Sequence, residues 1–209
     1  SGHSGVVLDG SVYTFGGVRM RGEGEMQFLD DLWQLYPSAD GSLQWRKLEV
    51  EGDAPSARTG HTFVSMGKYA LLFGGANEDG PRNDIYAFYP PTSPTHHSCK
   101  WERIEAKGMG EGEGEGRGGM GERFCLGGGK MGVFGGRDGG GAVLGDAWVL
   151  EVKEKDDGTL EGKWMEGSGV EKDVGIVAAA VCVKETSAEE LGGKGEGDED
   201  TDAFFPLDV

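Results

Sequence analysis

One short motif recurs along the chain at a nearly constant spacing. A phenylalanine is followed by two glycines at Phe15-Gly16-Gly17, Phe73-Gly74-Gly75 and Phe134-Gly135-Gly136. The first glycines of these copies are 58 and 61 residues apart. Because self-similarity at a fixed period marks a protein built from repeated structural units, this spacing constrains the fold more than any other feature of the sequence.

Two further features follow each diglycine in the same order. An aspartate precedes an apolar and an aromatic residue at Asp31-Leu32-Trp33, Asp84-Ile85-Tyr86 and Asp146-Ala147-Trp148. A second aromatic residue comes next, at Trp45, Trp101 and Trp164. A fourth, weaker copy follows, with Leu191-Gly192-Gly193 and then Asp202-Ala203-Phe204. The sequence therefore predicts three complete repeats and a partial fourth.

The second repeat indicates how one unit folds. Residues 62–66, 69–73, 84–89 and 100–106 have the pattern of short strands. The segment 69–73 is strongly apolar, which predicts a strand buried on both faces, and the diglycine ends it where the backbone bends without a side chain. Four short antiparallel strands in a repeat of roughly 50 residues predict one blade of a β-propeller.

The motifs resemble the kelch repeat. In some kelch families the string Pro-x-x-Arg-x-Gly-His precedes the inner strand, and this sequence has Pro55-Ser56-Ala57-Arg58-Thr59-Gly60-His61. Gly2-His3 gives the same position in the first repeat, whereas the third has Gly121-Glu122 and the fourth has Ala179 in place of the histidine. The resemblance covers nearly the whole chain, and it implies an all-β, kelch-type propeller whose blades run from an inner to an outer strand.

We therefore predict one propeller domain over residues 1–209, with blades at 1–50, 51–107, 117–167 and 174–209. A loop rich in glycine and glutamate is expected at 108–121, and an acidic loop at 185–202. Kelch propellers usually have six or seven blades and share one blade between the two termini. This chain lacks such a closing strand, so we expect either a piece of a longer propeller or a homodimer through the open blade edges.

Charge and hydropathy argue against two kinds of partner. The chain has 20 basic and 37 acidic residues, a net charge of −17, whereas nucleic-acid binding requires basic surfaces. The longest apolar run, residues 176–183, has 8 residues, far fewer than the about 20 that span a membrane. Three cysteines, an odd and low number, favour a reducing compartment. We predict no nucleic-acid or membrane partner and a location in the cytoplasm or the nucleus.

The residues that suggest catalysis or metal binding have simpler explanations. His96, His97 and Cys99 lie close together, but they lack a second ligand pair and are interpreted as a surface loop. The tract at 127–130 lacks the serine or threonine and the helix of a phosphate-binding loop, and it aligns with hairpin turns of the other repeats. The sequence therefore predicts no catalytic residue, no metal and no cofactor.

The arginines favour protein binding. In kelch propellers one rim is built by the loops after the diglycines and by the connections between blades. Six of the nine arginines fall in those segments: Arg19, Arg21, Arg58, Arg82, Arg117 and Arg137. Arginine is frequent at interface hot spots because its fork of donors matches carboxylates. Acidic residues nearby make this rim mixed in charge, and Arg58, as part of the repeat pattern, has a structural role as its alternative.

These observations predict a non-catalytic protein-interaction module, an adaptor or scaffold that presents its rim loops to a protein partner. The resemblance implies roles such as the recruitment of substrates to ubiquitin ligases, cytoskeletal contacts or signalling. One alternative is a kelch-fold metal-dependent enzyme or specifier protein with its metal in the central channel. Another is a truncated repeat protein without independent function.

Overall fold

The N-terminal fifty residues form a four-stranded antiparallel sheet, blade 1. The computed structural model describes residues 1–22, 24–93, 97–108, 122–127, 129–137 and 142–167. The strands of this first region are β1 (Ser4–Leu8), β2 (Ser11–Phe15), β3 (Val18–Arg21), β4 (Glu25–Phe28), β5 (Leu32–Pro37), β6 (Leu43–Lys47) and β7 (Glu49–Gly52). The sheet has the order β1-β2-β5-β6, and β3 and β4 form a separate hairpin between β2 and β5.

Blade 2 repeats this arrangement. Its strands are β8 (Thr62–Ser65), β9 (Ala70–Phe73), β10 (Ala76–Asn77), β11 (Gly80–Pro81), β12 (Ile85–Tyr89) and β13 (Ser98–Lys107). The main sheet has the order β8-β9-β12-β13, and β10 and β11 form a short hairpin. Every residue of β9 is buried, because apolar layers cover both faces of this strand.

Blade 3 consists of β14 (Glu122–Gly127), β15 (Lys130–Arg137), β16 (Val143–Glu154) and β17 (Leu160–Glu166), paired antiparallel in that order. The prediction of an all-β fold made of four-stranded blades is confirmed for the described residues. The predicted fourth blade (174–209), the acidic loop (185–202) and residues 109–121 of the glycine-rich loop lie outside the described residues.

The blades stand side by side, with their first strands at the centre. β1 lies against β8, and β8 against β14. One core of buried side chains joins blades 1 and 2 and includes Phe15 and Trp101, whose rings are 5.4 Å apart. A second core joins blades 2 and 3 and includes Phe73 and Trp164, 5.2 Å apart. Most of the burial therefore occurs between blades, where the two sheets cover each other's apolar faces.

The outer edge of each blade continues into the next one. β7, which follows the outer strand β6, pairs in parallel with β13, the outer strand of blade 2. The last residues of β13 pair in parallel with β17 of blade 3. Gly52 ends the first of these pairings and Gly108 follows the second, and both have positive φ. A side chain at Gly52 would collide with the carbonyl oxygen of Trp101, and one at Gly108 with that of Trp164. Backbone hydrogen bonds thus join neighbouring blades at the periphery as well as side chains inside.

Candidate partner-binding rim

The diglycines hold the connection between blades 1 and 2 against both sheets. A side chain at Gly16 would lie 2.6 Å from the Arg58 carbonyl oxygen, and one at Gly75 would lie 2.7 Å from that of Thr59. The Gly17 amide donates to the Arg58 carbonyl oxygen at 2.8 Å, and Thr59 and Ala76 exchange two backbone hydrogen bonds. The repeated motif therefore creates the space through which the connector runs. The loops that follow the diglycines emerge beside it.

Arg58 fixes this connector from inside the protein. Its side chain is 0% exposed, and its two terminal nitrogens donate to the Asp84 carboxylate at 2.6 and 2.9 Å. It also donates to the Gly74 carbonyl oxygen at 2.9 Å and lies over the Tyr86 ring. Because the guanidinium is buried and hydrogen-bonded within the fold, Arg58 is not available to a partner. The prediction that Arg58 is one of the partner-binding arginines is therefore wrong.

His61, the last residue of the same motif, is also buried. Its ring packs edge-on against Phe15, with centroids 5.5 Å apart. Burial, followed by the charge of Arg58, lowers the pKa of His61 from 6.5 to about 4. The imidazole is therefore neutral at pH 7 and fills the interface between blades. His3, at the same position of the first repeat, is exposed.

The hairpin of β3 and β4 carries an exposed pair of methionines. Met20 and Met26 face each other across the hairpin, and both are more than half exposed. Arg19 is opposite Gln27 and donates to its side-chain oxygen at 2.6 Å. Arg21 is exposed and opposite Glu25. This arm combines an apolar tip with charges of both signs.

The corresponding loop of blade 2 is shorter and is held by Arg82. The guanidinium of Arg82 donates to the Asn77 side-chain oxygen at 3.0 Å and forms an ion pair with Asp79. The Arg82 amide donates to the Gly75 carbonyl oxygen at 2.8 Å, next to the diglycine. About a third of the Arg82 side chain remains exposed. Arg82 thus holds the loop in place, and the exposed part of its side chain remains accessible to a partner.

An open groove of about 480 Å³ lies between these two loops, and we call it the rim groove. The blade 1 hairpin, the connector and the blade 2 loop contribute its lining: Arg21, Glu25, Met26, Gln27, Phe28, Ser56, Ala57, Asn77, Glu78 and Asp79. The lining therefore combines three carboxylates and one guanidinium with the apolar side chains of Met26, Phe28 and Ala57. Such a surface can hold an extended segment that has an apolar side chain between charged ones.

The structure brings three of the six predicted arginines to one side of the molecule. Arg19 and Arg21 lie on the blade 1 hairpin, and Arg82 lies on the loop across the groove. Arg137 ends β15, and its side chain is not among those described; Arg117 lies outside the described residues. The sequence interpretation missed Met20 and Met26. The alternation of Arg19-Met20-Arg21 with Glu25-Met26-Gln27 is the signal that indicates a hairpin with an apolar face.

Of the three residues considered as metal ligands, His96 lies outside the described residues, and Cys99 lies in the core rather than in the expected surface loop. His97 is exposed, whereas Cys99 is buried in the core and its thiol donates to the Glu49 carbonyl oxygen at 3.3 Å. Burial raises the pKa of Cys99 to about 12, so the sulfur is a thiol. In the ranges that the structure covers, no three His, Cys, Asp or Glu side chains are grouped as metal ligands. Within the same ranges, no helix has the length and apolar character needed to cross a bilayer.

Three comparisons agree on the kind of protein this chain is similar to. The family model of the KLHDC2/KLHL20/DRC7 Kelch-repeats domain matches residues 1–156. An F-box/kelch-repeat protein of Arabidopsis thaliana is 31% identical over 185 residues, which is 87% of this chain and 37% of that protein. Human Kelch domain-containing protein 2 is 29% identical over 113 residues, 52% of this chain and 27% of that protein. The chain thus spans between about a quarter and somewhat more than a third of the length of these relatives.

A solved structure is similar in architecture. The structure of YjhT matches with a TM-score of 0.61 at 20% sequence identity, over 84% of this chain and 54% of that chain. At this identity the likeness concerns the fold alone. Together with the strand pairing, it confirms the expected kelch-type propeller.

Proposed function

The chain belongs to the kelch-repeat family, and from that premise we propose that it is a non-catalytic protein-interaction module that binds a protein segment in the rim groove. The exposed methionine pair beside this groove carries the proposal. Exposed apolar side chains beside a charged groove mark interaction surfaces, and methionine adapts its shape to different partners. We infer an adaptor or scaffold role in the cytoplasm or the nucleus.

A rigid base supports this surface. The connector is fixed by Arg58 from below and by the diglycines from both sides, so the two loops are held at a constant separation. A preformed groove lowers the entropy that binding would cost. The hairpin therefore acts as an arm on a rigid base, which is the arrangement in which loops usually carry binding function.

The lining also indicates the chemistry of the bound segment. Glu25, Glu78 and Asp79 favour a basic group on the partner, whereas Arg21 favours an acidic one. Met20 and Met26 offer contact to an apolar side chain between them. We propose a segment that carries one apolar anchor flanked by charges of both signs, for which the hairpin and the groove are complementary.

The test compares proteins captured by the full chain and by matched variants. In Met20→Ser/Met26→Ser, both exposed side chains become polar, and we expect recovery of the specific partner to fall by about tenfold or more. Val50→Ser is the control, because Val50 is also exposed and lies on β7, away from the groove. Quantitative mass spectrometry of the captured proteins measures the change.

Two controls make the result decisive. Both methionines are exposed, so the urea unfolding midpoint of the double variant should equal that of the wild type. Arg21→Glu reverses one charge of the groove without touching the methionines, and it should weaken the same interaction. Equal recovery of every specific partner by wild type, double variant and Arg21→Glu would exclude the rim groove as the binding surface.

A further inference from the structure

The second strand of the blade 1 hairpin has an edge that borders the rim groove. β4 pairs with β3, and among the residues that the structure describes no other strand pairs with β4. All four residues of β4 line the groove, whereas β3 contributes Arg21 alone. Because successive side chains of a strand point to opposite faces, a groove that contacts all four runs along the edge of β4 and not over one face of the hairpin.

The backbone groups on this edge alternate in direction. In an antiparallel hairpin, successive residues direct their N–H and C=O groups alternately toward the partner strand and away from it. The Val18 amide, opposite Phe28, donates to the Ser1 carbonyl oxygen at 2.7 Å and so points away from β4. The amide of the residue after β4 donates to the Gly17 carbonyl oxygen at 2.9 Å, on the β3 side. Both observations give one alternation, in which Phe28 and Met26 direct their backbone groups away from β3.

The side chains of β4 divide between an apolar and a polar face. Alternation places Met26 and Phe28 on one face and Glu25 and Gln27 on the other. A strand that lies along this edge continues both faces, with an apolar side chain beside Met26 and a polar one beside Glu25. Across the groove, the blade 2 loop adds two more carboxylates. Three carboxylates against one guanidinium favour a basic side chain on the polar face.

We propose that the segment bound in the rim groove adds to β4 as a third strand of the hairpin, an inference that rests on the proposed function. Its backbone exchanges hydrogen bonds with Met26 and Phe28, its apolar anchor lies beside these two side chains, and a lysine or arginine pairs with Glu25. In strand addition, main-chain hydrogen bonds give affinity and alternate side chains give specificity. The acidic residues 185–202 of the chain itself are a poor occupant, because carboxylates already dominate the groove.

A synthetic peptide tests this binding mode. The probe is a short capped peptide in which valine alternates with lysine. Two further peptides have the same side chains and charge, but one is N-methylated on its valines and the other on its lysines. Because only one edge of an added strand pairs with β4, exactly one of these two forms should lose affinity by about tenfold or more, measured by titration calorimetry. Absence of binding by the parent peptide, or equal affinity of all three, would overturn strand addition.

Proline substitutions test the same contact from the side of the protein. Proline has no amide hydrogen and is tolerated where an edge strand directs its amide outward. Met26→Pro should bind the valine–lysine peptide about tenfold or more weakly than Met26→Ala. Met20→Pro changes the opposite edge of the hairpin and should bind it as Met20→Ala does. Each proline is compared with alanine at the same position, so the loss of the methionine side chain cancels. An equal effect of proline at both positions would contradict the proposal.

Amide hydrogen exchange measured by NMR identifies the occupant of the edge. In the chain alone, the amides of Met26 and Phe28 should exchange rapidly, and the peptide should slow this exchange by about tenfold or more. Slow exchange in the chain alone at every dilution would assign the edge to another segment of this chain. Slow exchange that dilution abolishes would assign it to a second copy. Either result would overturn the proposal of a partner strand.

Failure of strand addition is distinguishable from failure of the rim groove. A partner whose recovery falls in Met20→Ser/Met26→Ser, but which Met26→Pro and Met26→Ala recover equally, would retain the groove as the binding surface and exclude the added strand. A partner that is indifferent to Met20→Ser/Met26→Ser and to Arg21→Glu would exclude the groove, and the strand addition with it.

Discussion

Trp101 and Trp45 occupy the same position of the repeat and have opposite environments. Trp101 is 1% exposed in a cluster with Phe15, Phe63 and Phe88, whereas Trp45 is 55% exposed. Both lie on an outer strand with the same register. The tryptophan at this position is therefore buried by the neighbouring blade and not by its own sheet. In this molecule the unit of stability is the junction between two blades.

Replacement of these two tryptophans should give the largest difference in the free energy of unfolding. Trp101→Ala creates a cavity between blades 1 and 2 and should lower the free energy of unfolding by about 4 kcal/mol. Trp45→Ala removes a mostly exposed side chain and should cost less than about 1 kcal/mol. Urea denaturation at low protein concentration measures both. Similar losses for the two variants would contradict the view that the junctions hold most of the stability.

The aspartates after the diglycines extend the comparison to polar groups. Arg58→Met leaves the Asp84 carboxylate and the Gly74 carbonyl oxygen without their donor, and we expect a loss of about 3 kcal/mol. In blade 1 the indole of Trp33 donates to Asp31 at 2.8 Å on the exposed side, so Trp33→Phe should cost below about 1 kcal/mol. Thermal unfolding of both variants tests this order.

A double variant controls for the buried charge. Arg58→Met/Asp84→Asn removes both members of the pair and should recover part of the stability lost in Arg58→Met, because no uncompensated carboxylate remains. If the loss of stability in the double variant equals the sum of the losses in Arg58→Met and Asp84→Asn, the pair does not act as a coupled unit.

The two motif histidines give a smaller effect that depends on pH. Burial lowers the pKa of His61 in the folded chain to about 4, below its ordinary 6.5, so the unfolded chain binds the proton more readily. The contribution is complete above pH 6.5 and is lost as the pH falls through about 4, a decrease of about 3 kcal/mol. His61→Gln should flatten the stability profile in this interval, and His3→Gln, at the exposed position, should not. Identical profiles for both variants would refute this assignment.

The amino-acid pattern predicts the blades well and the junctions poorly. The strands expected in blade 2 at 62–66, 69–73, 84–89 and 100–106 agree with β8, β9, β12 and β13 to within two residues. Local apolar patterns and glycine positions suffice for this, because each strand is defined by its own alternation and turns. The continuation of one outer strand into the next blade was not predicted. Its residues, Glu49 to Gly52, are mostly polar, and their pairing depends on a strand almost fifty residues away.

The candidate site shows the same division. Loop arginines can be found from the sequence, which is how Arg19, Arg21 and Arg82 were identified. Their roles depend on tertiary contacts: Arg58 is buried in an ion pair with Asp84, and Arg82 forms an ion pair with Asp79 and stays partly exposed. A motif residue that recurs with the repeat is more often part of the scaffold, whereas the residues of the blade 1 hairpin stand outside the repeat pattern. That difference points to the hairpin as the specific feature of this chain.

The order of the junction partners along the chain has a consequence for biosynthesis. Phe15 precedes Trp101 by 86 residues, and Phe73 precedes Trp164 by 91. On the ribosome, each phenylalanine surface is therefore completed before the tryptophan that will cover it has been translated. Every new blade is added to a template that already exists, so the propeller grows vectorially from its N-terminal end. Each completed blade therefore leaves one apolar face on which the next blade can pack.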